Sequence, residues 1–178
     1  MAAALFRRCL PDPDPEWPEA TGVASAGLLP GGFASPAEVV TVMAEFDLDV
    51  SAHASTQVTP AIVAGADLVV AMGRRHAREV VLLDPGAWTR TFTAKEIVRR
   101  GERVGPRSAG EPLDRWLARL HQGRVRTALV GSSAEDDVAD PLGGPLAAYR
   151  ATARELAELV EGLAGLLWAG CQIQPSPG

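Results

Sequence analysis

Apolar and polar positions follow two rhythms along this chain, one of helices and one of short buried strands. Residues Ala2 to Leu10 combine good helix propensity with one apolar side, which predicts a short helix. Pro11-Asp12-Pro13-Asp14-Pro15 cannot continue it, because alternate prolines remove N–H donors and hold an extended path; a solvated loop is expected there. Val23-Ala24-Ser25-Ala26-Gly27 reads as a short buried strand, followed by a glycine-rich loop from Leu28 to Ser35. Ser35-Pro36 predicts a helix start: serine as the cap, proline at the first helical position and Glu38 in the first turn. That helix should run to about Phe46, with Val39, Val40, Met43 and Phe46 inward.

Thr59 to Ala64 predicts another helix. Ala66 to Met72 is a continuous apolar run with β-branched content, the pattern of a fully buried parallel strand. Arg74 to Leu82 reads as helix, Thr89 to Phe92 as a further strand, and Ala94 to Arg100 as helix again. Glu111 to Gln122 is amphipathic, with Leu113, Trp116, Leu117 and Leu120 on one face; it is placed at the surface, as a lid or contact element. Gly131 to Gly144 is polar, acidic and rich in turns, and the last helix spans about Pro145 to Trp168. Residues 171–178 are expected to be a disordered tail. Alternating strands and helices without a repeat or a boundary predict one α/β domain over residues 1–170, three layers deep around a small parallel sheet.

Composition changes this picture little. The 178 residues suit one domain, and a net charge of −5 disfavours a nucleic-acid surface. There are sixteen arginines and one lysine, Lys95, a bias that with the abundant alanine points to a GC-rich bacterial genome rather than to a function. No apolar run reaches the ~20 residues of a membrane span; the longest, Leu159 to Leu167, is broken by Glu161, Gly162 and Gly165. Arg7 and Arg8 follow the first apolar stretch instead of preceding it, which is not the order of a secretory signal. Cytoplasmic location is expected. The two cysteines, Cys9 and Cys171, have no spacing that suggests a metal site or a disulfide framework. No metal and no cofactor are expected.

Five segments stand out by their order: Ser25-Ala26-Gly27, His53, Ala66 to Met72, Phe92 to Glu96, and Asp140-Pro141. Together they resemble the low-molecular-weight protein tyrosine phosphatase family, which includes related arsenate reductases. The resemblance covers about Met1 to Leu163. It implies hydrolysis of phosphotyrosine through a cysteinyl-phosphate, on a phosphotyrosine-phosphatase-like fold. The implied partner is a phosphotyrosine protein or a small phosphate monoester. Carried over, Asp140 is the general acid that protonates the leaving oxygen. Neighbouring carboxylates and partial burial would raise its pKa for that task. Ser25 and His53 fall where the family places residues that support the phosphate loop. Tyr149 matches an aromatic position early in the final helix, whereas Asp67 and His76 read as structural.

The family's nucleophile loop is a cysteine, five residues, then arginine and serine. Its thiolate is stabilised by a helix N-terminus, and its arginine forks onto the phosphoryl oxygens. Neither cysteine here fits. Cys9 is followed by Leu10-Pro11-Asp12-Pro13-Asp14-Pro15, which removes three N–H donors, adds two repelling carboxylates and puts proline where arginine is needed. Cys9 is therefore read as a small apolar residue of the first helix, and Cys171 as a thiol near the tail. Arg107-Ser108 precedes a helix in a similar way, but six places earlier stands Gly101, so Arg107 is read as a loop residue. Thr56, where members often carry arginine, and Ala3, where they often carry an acid, depart from the pattern.

Ala2 to Arg8 resembles the helix that follows that loop, so the first central strand and the nucleophile loop are expected to be missing. A sequence starting too late, through a misplaced start codon or a truncation, is the expectation, and the chain as it stands is expected to be inactive. The alternative is a genuine non-catalytic relative acting as a binding or regulatory module. A third reading, an unrelated α/β nucleotide-binding domain, lacks a glycine-rich phosphate fingerprint.

Overall fold

The structure, a computed structural model, describes residues 1–11, 21–168 and 172–173. The expected loop at Pro11 to Pro15, beyond Pro11, and the tail from Gln174 onward lie outside the described residues. The chain divides into two compact units, one made of residues 1–57 and 139–178, the other of residues 58–138.

The first unit is built on helices. α1 (Ala2–Arg8) and α2 (Ala37–Ala44) both pack on the long α7 (Leu146–Leu167). On α7, Tyr149, Ala153, Leu156, Val160, Leu163 and Leu167 recur every three to four residues and are all buried, so one continuous apolar face is covered. Leu5 of α1 and Val42 and Met43 of α2 are also fully buried. α2 is shorter than its sequence suggests at both ends. Its cap is Pro36 rather than Ser35, and no side chain caps it. It ends in a left-handed residue, Asp47 (φ 55°), with Leu48 N–H reaching back to the Met43 carbonyl; aspartate tolerates this conformation better than most residues. Phe46, predicted as the last inward helical residue, is buried in that turn.

The expected strand at Val23 to Gly27 is not formed. Val23 is half-buried, Ala24 to Gly27 are exposed, and only Gly27 makes a bridge, parallel to Gln57. Its small side chains offer little apolar area to bury. Strand geometry also requires a partner for alternate backbone groups, and the bonds here stop at Gly27 N–H to the Thr56 carbonyl (2.8 Å) and the Arg7 guanidinium on the Val23 carbonyl.

The second unit holds the sheet. β1 (Val69–Ala71) pairs in parallel with β2 (Thr91–Thr93), with Val70 opposite Phe92. The sequence predicted a longer and fully buried first strand. Instead Ala66 to Leu68 stay outside the strand, with a bend at Asp67, and Val69 and Val70 are half-buried in a sheet of two strands among the described residues. Thr89 and Arg90 belong to a 3-10 turn (Pro85–Arg90) that delivers the chain to β2. Three helix starts follow from sequence. Thr59 accepts from Ile62 N–H at the head of α3 (Pro60–Ala64), Thr93 accepts from Glu96 N–H at the head of α5 (Ala94–Val104), and Asp84 accepts from Gly86 N–H at the head of the 3-10 turn. α4 (Arg74–Leu83) covers the sheet, burying Ala77 against Ala71 and Trp88.

α6 (Leu113–His121) corrects the expectation of a surface lid. Trp116 is fully buried, with Leu117 and Leu120 beside it, and its indole N–H donates to the Gly105 carbonyl at 3.1 Å. A buried indole needs a polar partner for its N–H, and this one has it. The helix is thus part of the core. Together these elements make an α/β fold with a small parallel sheet.

Candidate active site

Ser25, His53 and Asp140, the three residues named from sequence, all belong to the first unit and all three are exposed. Among the described residues no hydrogen bond or ion pair joins them to one another. Two segments carry the first two. The loop from Gly27 to Ala34 runs beside residues 54–57, tied by Gly32 N–H to the Ser55 carbonyl, Ser55 N–H to the Phe33 carbonyl, and Phe33 N–H to Ser55 Oγ, at 2.8–3.1 Å. Gly31 has no substitute there, since a Cβ would fall 2.8 Å from the Ser55 carbonyl oxygen. Ser25 lies two residues before this lattice. His53 lies just ahead of Ala54, which bridges to Ala34, and its own N–H closes a turn onto the Val50 carbonyl at 3.2 Å.

Asp140 heads a compact loop. Its Oδ1 accepts from Leu142 N–H at 3.1 Å, and Gly144 N–H returns to the Pro141 carbonyl at 2.8 Å. Two buried side chains of α7, one turn apart, fasten this loop. The Thr152 hydroxyl donates to the Ala139 carbonyl at 3.2 Å, and the Tyr149 hydroxyl accepts from Gly143 N–H at 3.3 Å. The sequence placed Tyr149 by its match to an aromatic position early in the final helix, without a role for its hydroxyl, and it missed Thr152. A polar residue on the inward face of an otherwise apolar helix was the available signal.

The setting expected for Asp140 differs in one respect: it is exposed rather than partly buried. The adjacent carboxylates are committed elsewhere, within residues 58–138. Asp136 is buried between Arg74 and Arg99, with N–O distances of 2.8 Å to both. Burial by itself would raise the Asp136 carboxyl, but the hydrogen bonds from Arg99 and Arg74 outweigh it and hold it below the usual aspartate value. Asp137 accepts from Arg74 N–H at 2.7 Å and from Ser133 N–H at 2.8 Å, which caps the start of α4.

Cys9 also departs from its reading. It follows α1 directly and is buried, as expected of an apolar residue, but it is disulfide-bonded. A bonded, buried sulfur is no nucleophile. Cys171 lies outside the described residues. Arg107 is a loop residue donating to the Glu111 carbonyl, Asp67 sits exposed at the turn before β1, and His76 is exposed on α4. Among the described residues no group of His, Cys, Asp or Glu side chains could hold a metal ion, and no helix is long and apolar enough to cross a membrane.

Comparison with known proteins gives these positions a context. The sequence profile described as low molecular weight phosphotyrosine protein phosphatase matches residues 1–100. A curated relative, the probable low molecular weight protein-tyrosine-phosphatase EpsP of Ralstonia solanacearum, is 33% identical over 98 residues, 54% of this chain and 62% of that protein. The chain thus spans less than two thirds of the curated relatives it matches. A crystal structure of the low molecular weight protein tyrosine phosphatase from T. tengcongensis is 31% identical, with a TM-score of 0.58 over 81% of this chain and 76% of that one. The YwlE arginine phosphatase from Geobacillus stearothermophilus is 27% identical, with a TM-score of 0.63 over 92% of this chain and 80% of that one.

Proposed function

Because the chain belongs to the low molecular weight phosphotyrosine protein phosphatase family, we propose that it provides the scaffold of an enzyme that hydrolyses phosphotyrosine, or a small phosphate monoester, through a cysteinyl-phosphate. Asp140 is the general acid of that reaction. The loop held by Tyr149 and Thr152 presents its carboxyl at the surface, where a leaving oxygen can reach it. Ser25 and His53, next to the Gly27–Ala34 lattice, support the phosphate-binding loop. The location is the cytoplasm. The family match over residues 1–100 carries this reading.

Residues 1–178 contain no Cys-x5-Arg-Ser segment, and Cys9 is bonded. Removing a nucleophile costs on the order of 10⁶ in rate. The 178-residue polypeptide by itself therefore turns over p-nitrophenyl phosphate at the blank rate. Robust turnover by this polypeptide contradicts the assignment. Reading the DNA in frame upstream of the Met1 codon separates the enzyme from its alternative, a non-catalytic binding module. A strand followed by Cys-x5-Arg-Ser supports the enzyme, and a stop codon before any such segment supports the module. In a polypeptide carrying that loop, Asp140→Asn should lower kcat by ~10²–10⁴.

A further inference from the structure

The loop that carries Asp140 is bonded within itself and tethered from outside at two points. Within it, Leu142 N–H donates to Asp140 Oδ1 at 3.1 Å and Gly144 N–H to the Pro141 carbonyl at 2.8 Å. Gly143 has a φ of 79°, a left-handed value that favours glycine. Such a loop keeps its shape but can still swing about its ends. One tether is the Thr152 hydroxyl, which donates to the Ala139 carbonyl just before Asp140. The other is the Tyr149 hydroxyl, which accepts from Gly143 N–H just after Leu142. Tyr149 and Thr152 are 2% and 5% exposed and stand one turn apart on α7, hence on one face. Phenylalanine and valine would fill the same space in that apolar stripe without burying a hydroxyl, which costs free energy unless it is bonded. The two hydroxyls are therefore explained by the loop and not by the packing of α7.

We propose that Tyr149 and Thr152 are positioning residues for proton transfer by Asp140, holding its carboxyl at a fixed place over α7. This deepens the reading of Asp140 as the general acid and rests on it. Asp140 is exposed, so its place depends on the loop beneath it rather than on packing around it. A proton passes when the donor oxygen stands within about 2.6–3.2 Å of the leaving oxygen. A misplacement of ~1 Å can cost ~10² in rate. Thr152 fixes the backbone on the N-terminal side of Asp140. Tyr149 fixes the turn next to Leu142, whose N–H in turn orients the carboxyl. Both residues act through the backbone of the loop, so a lost hydroxyl frees the acid while α7 stays packed.

NMR on the 178-residue protein tests this. The Leu142 amide shift should follow pH through the carboxylate range, about pH 3–6, because its acceptor is Asp140 Oδ1; Asp140→Asn should abolish that profile. In Thr152→Val and in Tyr149→Phe the amplitude of the profile should shrink to about half or less, as the bond loses its alignment. Hydrogen exchange at the Gly143 amide should quicken about 3–10-fold in Tyr149→Phe. Exchange in the middle of α7 should stay that of the parent, and Tm should stay within ~5 °C of it. Thr152→Ser, which keeps the hydroxyl, should restore the parent profile. An unchanged Leu142 profile in both apolar variants overturns the proposal. So does faster exchange spread evenly along α7, or a profile that serine fails to restore. The protein measured has no nucleophile loop, so absent turnover leaves these results untouched. Conversely, an unchanged profile removes the positioning role and leaves the reading of Asp140 to its own test.

Discussion

Residues 58–138 carry thirteen of the seventeen lysines and arginines, and nine of the twelve arginines there donate to a carboxylate or a backbone carbonyl. The other unit carries four arginines, three of which (Arg7, Arg8 and Arg150) donate in the same way, and it covers an apolar face of α7 while leaving Ser25, His53 and Asp140 exposed on irregular segments. Both units bury an apolar core, but residues 58–138 also engage buried or half-buried carboxylates with arginines, whereas the other unit leaves its polar candidates exposed. A group already committed to the fold is poorly placed for chemistry. A group on a surface loop fastened from below costs the fold little and can meet a substrate. Asp136 and Asp140, four residues apart, fall on opposite sides of this division.

Arg124 is the sharpest case of the first kind. Its side chain is 1% exposed, lies 3.9 Å from the centroids of both Trp88 and Phe92, and donates to Glu96 at 2.7 Å and to the Thr91 carbonyl at 2.7 Å. Arg124→Ala leaves the Glu96 carboxylate with Arg100 alone, at 3.1 Å, and opens the gap between the rings. A loss of about 3–5 kcal/mol is expected by denaturant unfolding. Lysine should rescue little of it, because it lacks the planar fork. A cost under ~1 kcal/mol would erase the contrast between the units.

In the other unit, Leu163→Ala removes a buried side chain from α7 and should cost about 2–5 kcal/mol. Its m-value should stay that of the parent if packing alone is lost.

Asp136→Asn comes next. The folded Asp136 carboxyl is held below its usual value, so its contribution is present above the unfolded pKa and lost as pH falls through the folded one. The variant should be less stable at pH 7 by about 1–3 kcal/mol, and its stability should decline less below about pH 4.

His121 gives a smaller effect with the same sign. Burial first, then Arg124 and Arg100, lower its pKa. The folded state therefore prefers the neutral ring, and this part of the stability is full above about pH 6.5 and is lost on acidification below it. His121→Gln should flatten the stability profile between about pH 5 and 7. The smallest expected changes belong to the candidate site. Ser25→Ala, His53→Ala and Asp140→Asn should each alter stability by less than ~0.5 kcal/mol, which separates any loss of activity from a loss of fold.

Much of this was legible in the residue order. The last helix, the helix starts near Thr59 and Ala94, and the apolar run leading into β1 each follow from local rules. The five ordered segments pointed to the family. Other features were not legible, each for a physical reason. Val23 to Gly27 reads as a strand, but a strand exists only when another segment pairs with it. Trp116 reads as one face of an amphipathic helix, and periodicity says which face is apolar but not what will cover it. Thr152 is one hydroxyl in a long apolar stripe, and its role appears only when Ala139 returns beside it.

Local sequence determined where most helices form and which faces are apolar, because propensity and periodicity act over a few residues, and the order of its short motifs marked the family. Tertiary structure alone decided which carboxylates are consumed by arginines and which stay exposed. It also decided whether a strand-like segment finds a partner, and that Cys9 ends in a bond rather than as a free thiol. These outcomes depend on groups distant in sequence meeting in space, and no local pattern encodes such a meeting.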